Sequence, residues 1–241
     1  MHRRRLALVF GNDDYSGTAK LNSCVKDAKD MTVALTNLGF QCTKYHNSNK
    51  RAMDIAIRDF RAKIRENDCI LIYFSGHGME ANGKNYLLPI EPLHDPDFDC
   101  INLDTMLKDL NRSGNNLLNI IILDACRADK ANDTWKMKAT NEEPCLTPAF
   151  GKALTSLVRM PNESQFALIF SSDPGTVSFA NEIGGNSFFS SALLKHLATP
   201  NLELDGMMKQ VRKEILQKSS NKQRPWLHSC LTEEFYFNKG L

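Results

Sequence analysis

No Cys-x-x-Cys pair occurs in this sequence, and no glycine-rich phosphate loop follows its first apolar run. Its cysteines and histidines are not clustered as a structural zinc site needs them. No apolar run approaches the roughly 20 residues of a membrane span, and the start does not read as a signal peptide. An excess of one charge is missing too: 30 Lys and Arg against 28 Asp and Glu leave a formal net charge of +2. That is too little to point to a nucleic-acid partner. There is no internal repeat and no low-complexity tract. Together these absences predict a cytoplasmic chain with no cofactor, no metal, no membrane contact and no nucleic acid. The seven cysteines are odd in number and read as reduced thiols.

What is present suits one sizeable α/β domain, or two small ones. The chain has 241 residues, 42% hydrophobic and 24% charged, and a domain of this size can build a full core without disulfides. The basic start, Arg3-Arg4-Arg5, has the charge of a targeting tag but runs straight into a strand-like segment, which favours a solvated strand flank. Short apolar runs at residues 6–10, 70–74, 117–123 and 166–170 alternate with helical patterns. Val25, Ala28, Met31, Leu35 and Leu38 recur at helical spacing, with Asn22 or Ser23 as cap and Gly39 as stop. Met53, Ile57, Phe60 and Ile64 mark a second helix, and Leu103, Met106, Leu107 and Leu110 a third. Further helices are predicted at 188–197 and 205–217. Weaker strands are expected at 40–45 and 234–237, and Asn82-Gly83 signals a hairpin. Such alternation predicts a mostly parallel sheet with helices on both faces.

In open sheets of this kind functional groups gather at the carboxyl ends of strands. Two segments arrive there. Residues 70–74 deliver Ser75-Gly76-His77-Gly78, and 117–123 deliver Asp124-Ala125-Cys126-Arg127. A thiol attacks an amide only with a base beside it or a lowered pKa, and His77 can supply the base. The glycines around His77 suggest a sharp turn and close substrate approach.

These two motifs, separated by about 50 residues, resemble the catalytic motifs of caspase-like cysteine peptidases. The similarity continues along the chain. Asp27 resembles the first-helix acid of paracaspases. Residues 174–179 resemble the segment that lines the substrate cleft. Gln223-Arg224-Pro225-Trp226 and residues 231–237 resemble the end of the caspase small subunit. The resemblance implies a three-layer fold around a six-stranded sheet. It implies one peptidase domain over 1–241: a large-subunit-like part at 1–127, a connection at 128–165 and a small-subunit-like part at 166–241. It makes Cys126 the nucleophile and His77 the general acid/base, with the N–H groups of Gly78 and Cys126 as oxyanion hole. Ser178 and Phe179 are then expected to meet a peptide substrate by strand pairing. Protein or peptide substrates and a homodimer, paired through the strand at 234–237, are the implied partners.

Aspartate-cutting caspases carry Gln two residues before the nucleophile; this chain has Asp124 there. Asp27 and Asp124 together imply a pocket that repels an acidic P1 side chain and attracts Arg, with Lys second. This is the paracaspase and orthocaspase pattern. The third acid of paracaspases is replaced by Ala180, with Glu182 two residues on. Asp27 also suits a solvated first-turn helix acid. Arg127-Ala128 departs from the metacaspase Ser-Gly, and Asp95, Asp97 and Asp99 look like a polar loop rather than a calcium loop. Other readings stay open: a catalytically silent caspase-like scaffold, an Asp-specific caspase, or a flavodoxin-like binding module.

Overall fold

Leu6, Ala7, Leu8, Val9 and Phe10 are all buried, so the strand they form is covered on both faces. That is the signature of a central strand in a parallel sheet. The computed structural model describes residues 3–16, 20–81, 84–112, 117–129, 165–172 and 185–240. In chain order the elements are β1 (Arg5–Gly11), α1 (Cys24–Asn37), β2 (Phe40–His46), α2 (Lys50–Arg61), β3 (Cys69–Ala81), β4 (Lys84–Leu87), α3 (Pro96–Asp99), β5 (Ile101–Asn102), α4 (Leu103–Asn111), β6 (Leu118–Asp129), β7 (Gln165–Phe170), α5 (Phe188–Leu197), α6 (Leu204–Lys218) and β8 (Trp226–Ser229).

Six strands run in the order β2-β1-β3-β6-β7-β8, and β4 and β5 extend the sheet from β3. The first five of the six are parallel and β8 is antiparallel to β7. The expected six-stranded path is therefore there, with a small antiparallel addition. Alternate residues of each central strand enter different layers. Leu71 and Tyr73 of β3, with Ile120 and Ile122 of β6, pack with α1, α5 and α6. Ile70, Ile72 and Phe74, with Ile121 and Leu123, pack with α2 and α4.

Some expectations need correction. The last strand is at 226–229, not 234–237, where only Tyr236 makes an isolated bridge, to Glu203. Phe235 and Phe237 alternate like strand residues because both bury into the α1–α5–α6 layer. The basic start is not merely a solvated flank. Arg4 grips the Asp68 carboxylate through two bonds, of 3.0 and 2.6 Å. Arg5 donates to the carbonyls of Leu38, Tyr236 and Phe237, and its guanidinium stands over the Phe40 and Phe235 rings. It thereby ties the end of the described chain to the sheet. At the start of α1, Ser23 occupies the cap position without a side-chain cap bond. The Asp13 carboxylate caps instead, accepting from the N–H groups of Cys24 (2.7 Å) and Val25 (2.9 Å). Gly39, with φ of +83°, follows the helix end as expected.

Candidate active site

The strands β3 and β6 do not stop where their apolar runs end. Both continue in parallel register, pairing Ser75 with Asp124, Gly76 with Ala125, His77 with Cys126 and Gly78 with Arg127. The two motifs are thus aligned residue for residue, on strands roughly 4.8 Å apart. This corrects the expectation of a sharp Gly-His-Gly turn: the segment is extended strand, and Gly39 is the only described glycine with positive φ. Gly76 is required for a different reason. A Cβ there would lie 2.6 Å from Tyr15 Oη and 2.8 Å from Phe74 Cζ. His77 itself is buried. Its ring centroid lies 4.4 Å from that of Tyr15, with the planes tilted by 60°.

Sheet order explains why these groups meet. From β1 the chain moves outward to β2 and then returns to β3 on the other side of β1. The crevice between β1 and β3 is a topological switch point, where the loop leaving β1 faces the end of β3.

Asp27 and Asp124 are brought together. Both are fully buried, so Asp27 is not a solvated helix acid. Asp27 accepts from the Ser187 backbone N–H at 3.0 Å and from Ser75 Oγ at 3.3 Å. Asp124 accepts from Ser187 Oγ and, at 2.9 Å, from Ser190 Oγ. Ser187 is also the N-cap of α5, accepting from the Ser190 N–H. The carboxylates therefore gather at a helix N-terminus, where partial positive charge favours them. Tyr73 Oη shares a 2.6 Å bond with Ser190 Oγ. Burial, and then the nearby Asp27 and Asp124, push the Tyr73 phenol well above its ordinary range.

The register joins His77 and Cys126, and Ser187 joins Asp27 and Asp124. Gly78 sits one residue beyond His77 on the same strand. Ser178, Phe179, Ala180, Glu182 and the connection from 130 to 164 lie outside the described residues. Ser75 enters the sequence reading only as part of the motif after residues 70–74, and Tyr15, Ser187 and Ser190 are missed. Of these only Ser187 carried a signal, as a serine opening the helical pattern at 188. Among the described residues no group of His, Cys, Asp and Glu could hold a metal ion. Asp95 and Asp99 instead accept from the backbone of their own loop, and Asp97 from Tyr86 and Lys84. No described helix is long and apolar enough to cross a membrane.

A caspase-domain profile, peptidase family C14, matches residues 4–236. The chain belongs to the caspase family of cysteine peptidases. It is 25% identical to caspase-1 of Rattus norvegicus over 99% of its own length, spanning 60% of that relative. It is 28% identical over 130 residues to the Homo sapiens mucosa-associated lymphoid tissue lymphoma translocation protein 1, covering 54% of this chain and 15% of that one. The solved caspase-1 of Spodoptera frugiperda superposes with a TM-score of 0.68 at 17% identity, covering 99% of this chain and 93% of that one. A Geobacter sulfurreducens protein, GSU0716, gives 0.64 at 16% identity, with coverages of 98% and 97%. At such identities the structural likeness establishes the caspase fold.

Proposed function

We propose that this caspase-family chain is a cysteine endopeptidase that cuts protein or peptide substrates after basic residues, Arg ahead of Lys. Cys126 is the nucleophile. His77 takes the thiol proton and delivers it to the leaving amine. The N–H groups of Gly78 and Cys126 receive the oxyanion, where such a donor lowers the barrier by roughly 3–4 kcal/mol. The acyl-enzyme then takes a water activated by His77. Ser178 and Phe179 pair with the substrate backbone. The domain works as one unit, with 1–127 and 166–241 joined by the connection at 128–165, and it pairs with a second copy.

The observation that carries the basic preference is the buried pair Asp27 and Asp124, held by one serine beside the dyad strands. A guanidinium offers five donors in a planar fork that suits two carboxylates, whereas an ammonium is a point charge. An acidic P1 side chain would meet like charges. Similarity to caspase-1 favours an Asp-specific reading. The two carboxylates oppose it on chemical grounds, and Asp124 stands where aspartate-cutting relatives have Gln. A P1 substrate profile, run on wild type and Cys126→Ala in parallel, tests the proposal. The expected result is cleavage after Arg that is lost in Cys126→Ala; preferred cleavage after Asp overturns the basic-pocket assignment.

A further inference from the structure

We infer that Tyr15 is a positioning residue for His77, acting through its hydroxyl on the histidine's backbone. This rests on the assignment of His77 as general acid/base. The β1–β3 ladder ends at the pair Gly11 and Ser75. One further bond, from Asn12 N–H to Ser75 C=O, closes that side of β3. Beyond it β1 no longer offers a partner, and β4 begins its own pairing at Gly78 with Leu87. His77 falls in the gap between the two neighbours. A buried backbone N–H left there without an acceptor would be costly.

Tyr15 fills that gap. Its Oη accepts from His77 N–H at 3.0 Å and donates to Leu88 C=O at 3.0 Å. Leu88 N–H in turn donates to His77 C=O at 3.0 Å. Three hydrogen bonds thus close a ring of Tyr15, Leu88 and His77, and both backbone groups of the histidine are fixed. Asn12 Nδ2 adds a second donor to Leu88 C=O at 3.2 Å, while its Oδ1 accepts from Ser48 N–H. The phenol is buried, and burial pushes its ionisation far above the ordinary range, so it stays a donor. The room for the hydroxyl comes from Gly76, since a Cβ there would crowd Oη at 2.6 Å. The ring also stands against the imidazole. One side chain therefore sets both the backbone of His77 and the surroundings of its ring.

Tyr15→Phe keeps the ring and removes only the hydroxyl. Displacing a catalytic base by a fraction of an ångström costs rate rather than affinity, so kcat should fall about 10- to 100-fold with KM within about twofold. The pH midpoint for inactivation by a small neutral alkylating agent should also move, because the imidazole sets how readily the thiol ionises. A variant loosened elsewhere, Phe60→Leu in the α2 layer, should keep the wild-type midpoint. In wild type, hydrogen exchange at the His77 amide should be as slow as at neighbouring β3 amides, a reading that does not depend on any variant folding. Unchanged kcat and midpoint in Tyr15→Phe, a loss confined to KM, or a rapidly exchanging His77 amide overturns the inference. A wild type without peptidase activity overturns the proposed function with it, whereas a fully active Tyr15→Phe overturns this step alone.

Discussion

Asp27 and Asp124 reach the same serine: one accepts from the Ser187 backbone N–H and the other from its hydroxyl. Ser187 sits at the mouth of α5, so the helix start fixes the spacing between two carboxylates that come from α1 and β6. Two acids from distant parts of the chain are thereby held as a unit. If that unit binds the P1 guanidinium, Asp27→Asn should lower the specificity constant for Arg substrates. A hydrogen bond to a charged group is worth about 1.5–3 kcal/mol, or about 10- to 150-fold in rate. Inactivation by a small alkylating agent should persist, which separates a binding defect from an unfolded enzyme. Unchanged Arg cleavage would remove Asp27 from the pocket.

The proposed catalytic pair has a harsher test. Cys126→Ala and His77→Ala should each abolish cleavage by several orders of magnitude while leaving the thermal transition near wild type. Labelling adds a control. Burial pushes the Cys69 thiol up to about 12, so it should stay unlabelled at neutral pH. Cys230 is exposed and should label without loss of activity. Peptidase activity in Cys126→Ala would refute the assignment.

Much of this architecture was legible in the sequence, for a physical reason. Central parallel strands bury both faces, so residues 6–10, 70–74, 117–123 and 166–170 stand out as unbroken apolar runs. The β8 strand was missed because an edge strand of four residues, Trp-Leu-His-Ser, is only half-buried and has no such run. Phe235 and Phe237 imitated a strand because an irregular segment buried both rings. The two motifs were legible, but their continuation as strand was not, since glycines inside a strand read as turn. Tyr15 and Ser187 act through tertiary contacts to His77 and to the two aspartates. Nothing in the local pattern around either residue encodes those contacts.

The Asp13 cap links stability to the proposed pocket. Its carboxylate takes two orphan N–H groups at the start of α1, the helix whose first turn carries Asp27. Asp13→Ala should cost about 1–2 kcal/mol, as loss of an N-cap does. For a domain of this size that is a fall of roughly 2–8 °C in melting temperature. Arg cleavage should weaken in the same variant. An unchanged melting temperature would show that the cap carries no stability.

The connection at 128–165 contains Lys136, Lys138, Lys152 and Arg159, which suit an enzyme that cuts after basic residues. Incubation at high protein concentration should yield a fragment pair whose new carboxyl terminus is Lys or Arg. Mass spectrometry of wild type beside Cys126→Ala checks this. An intact wild-type chain after long incubation counts against self-cleavage.

Pairing with a second copy should use β8, the last strand of the sheet order, rather than residues 234–237, of which Phe235 and Phe237 already bury their rings in the core. The ladder shows which groups face outward. Cys230 N–H bonds to Phe166 C=O on β7, and residues of an antiparallel pair alternate in direction. His228 and Trp226 therefore bond inward, opposite Leu168 and Phe170, while Leu227 and Ser229 turn their backbone groups away from β7. Such an edge is a template for another strand. Ser229→Pro removes one outward N–H without cutting the β7 ladder, and a proline fits at a strand edge. With a covalent peptide inhibitor bound, wild type should sediment as a dimer at high concentration and Ser229→Pro as a weaker one. A wild type that stays monomeric under those conditions argues against pairing altogether. A Ser229→Pro dimer of undiminished strength would move the interface away from β8.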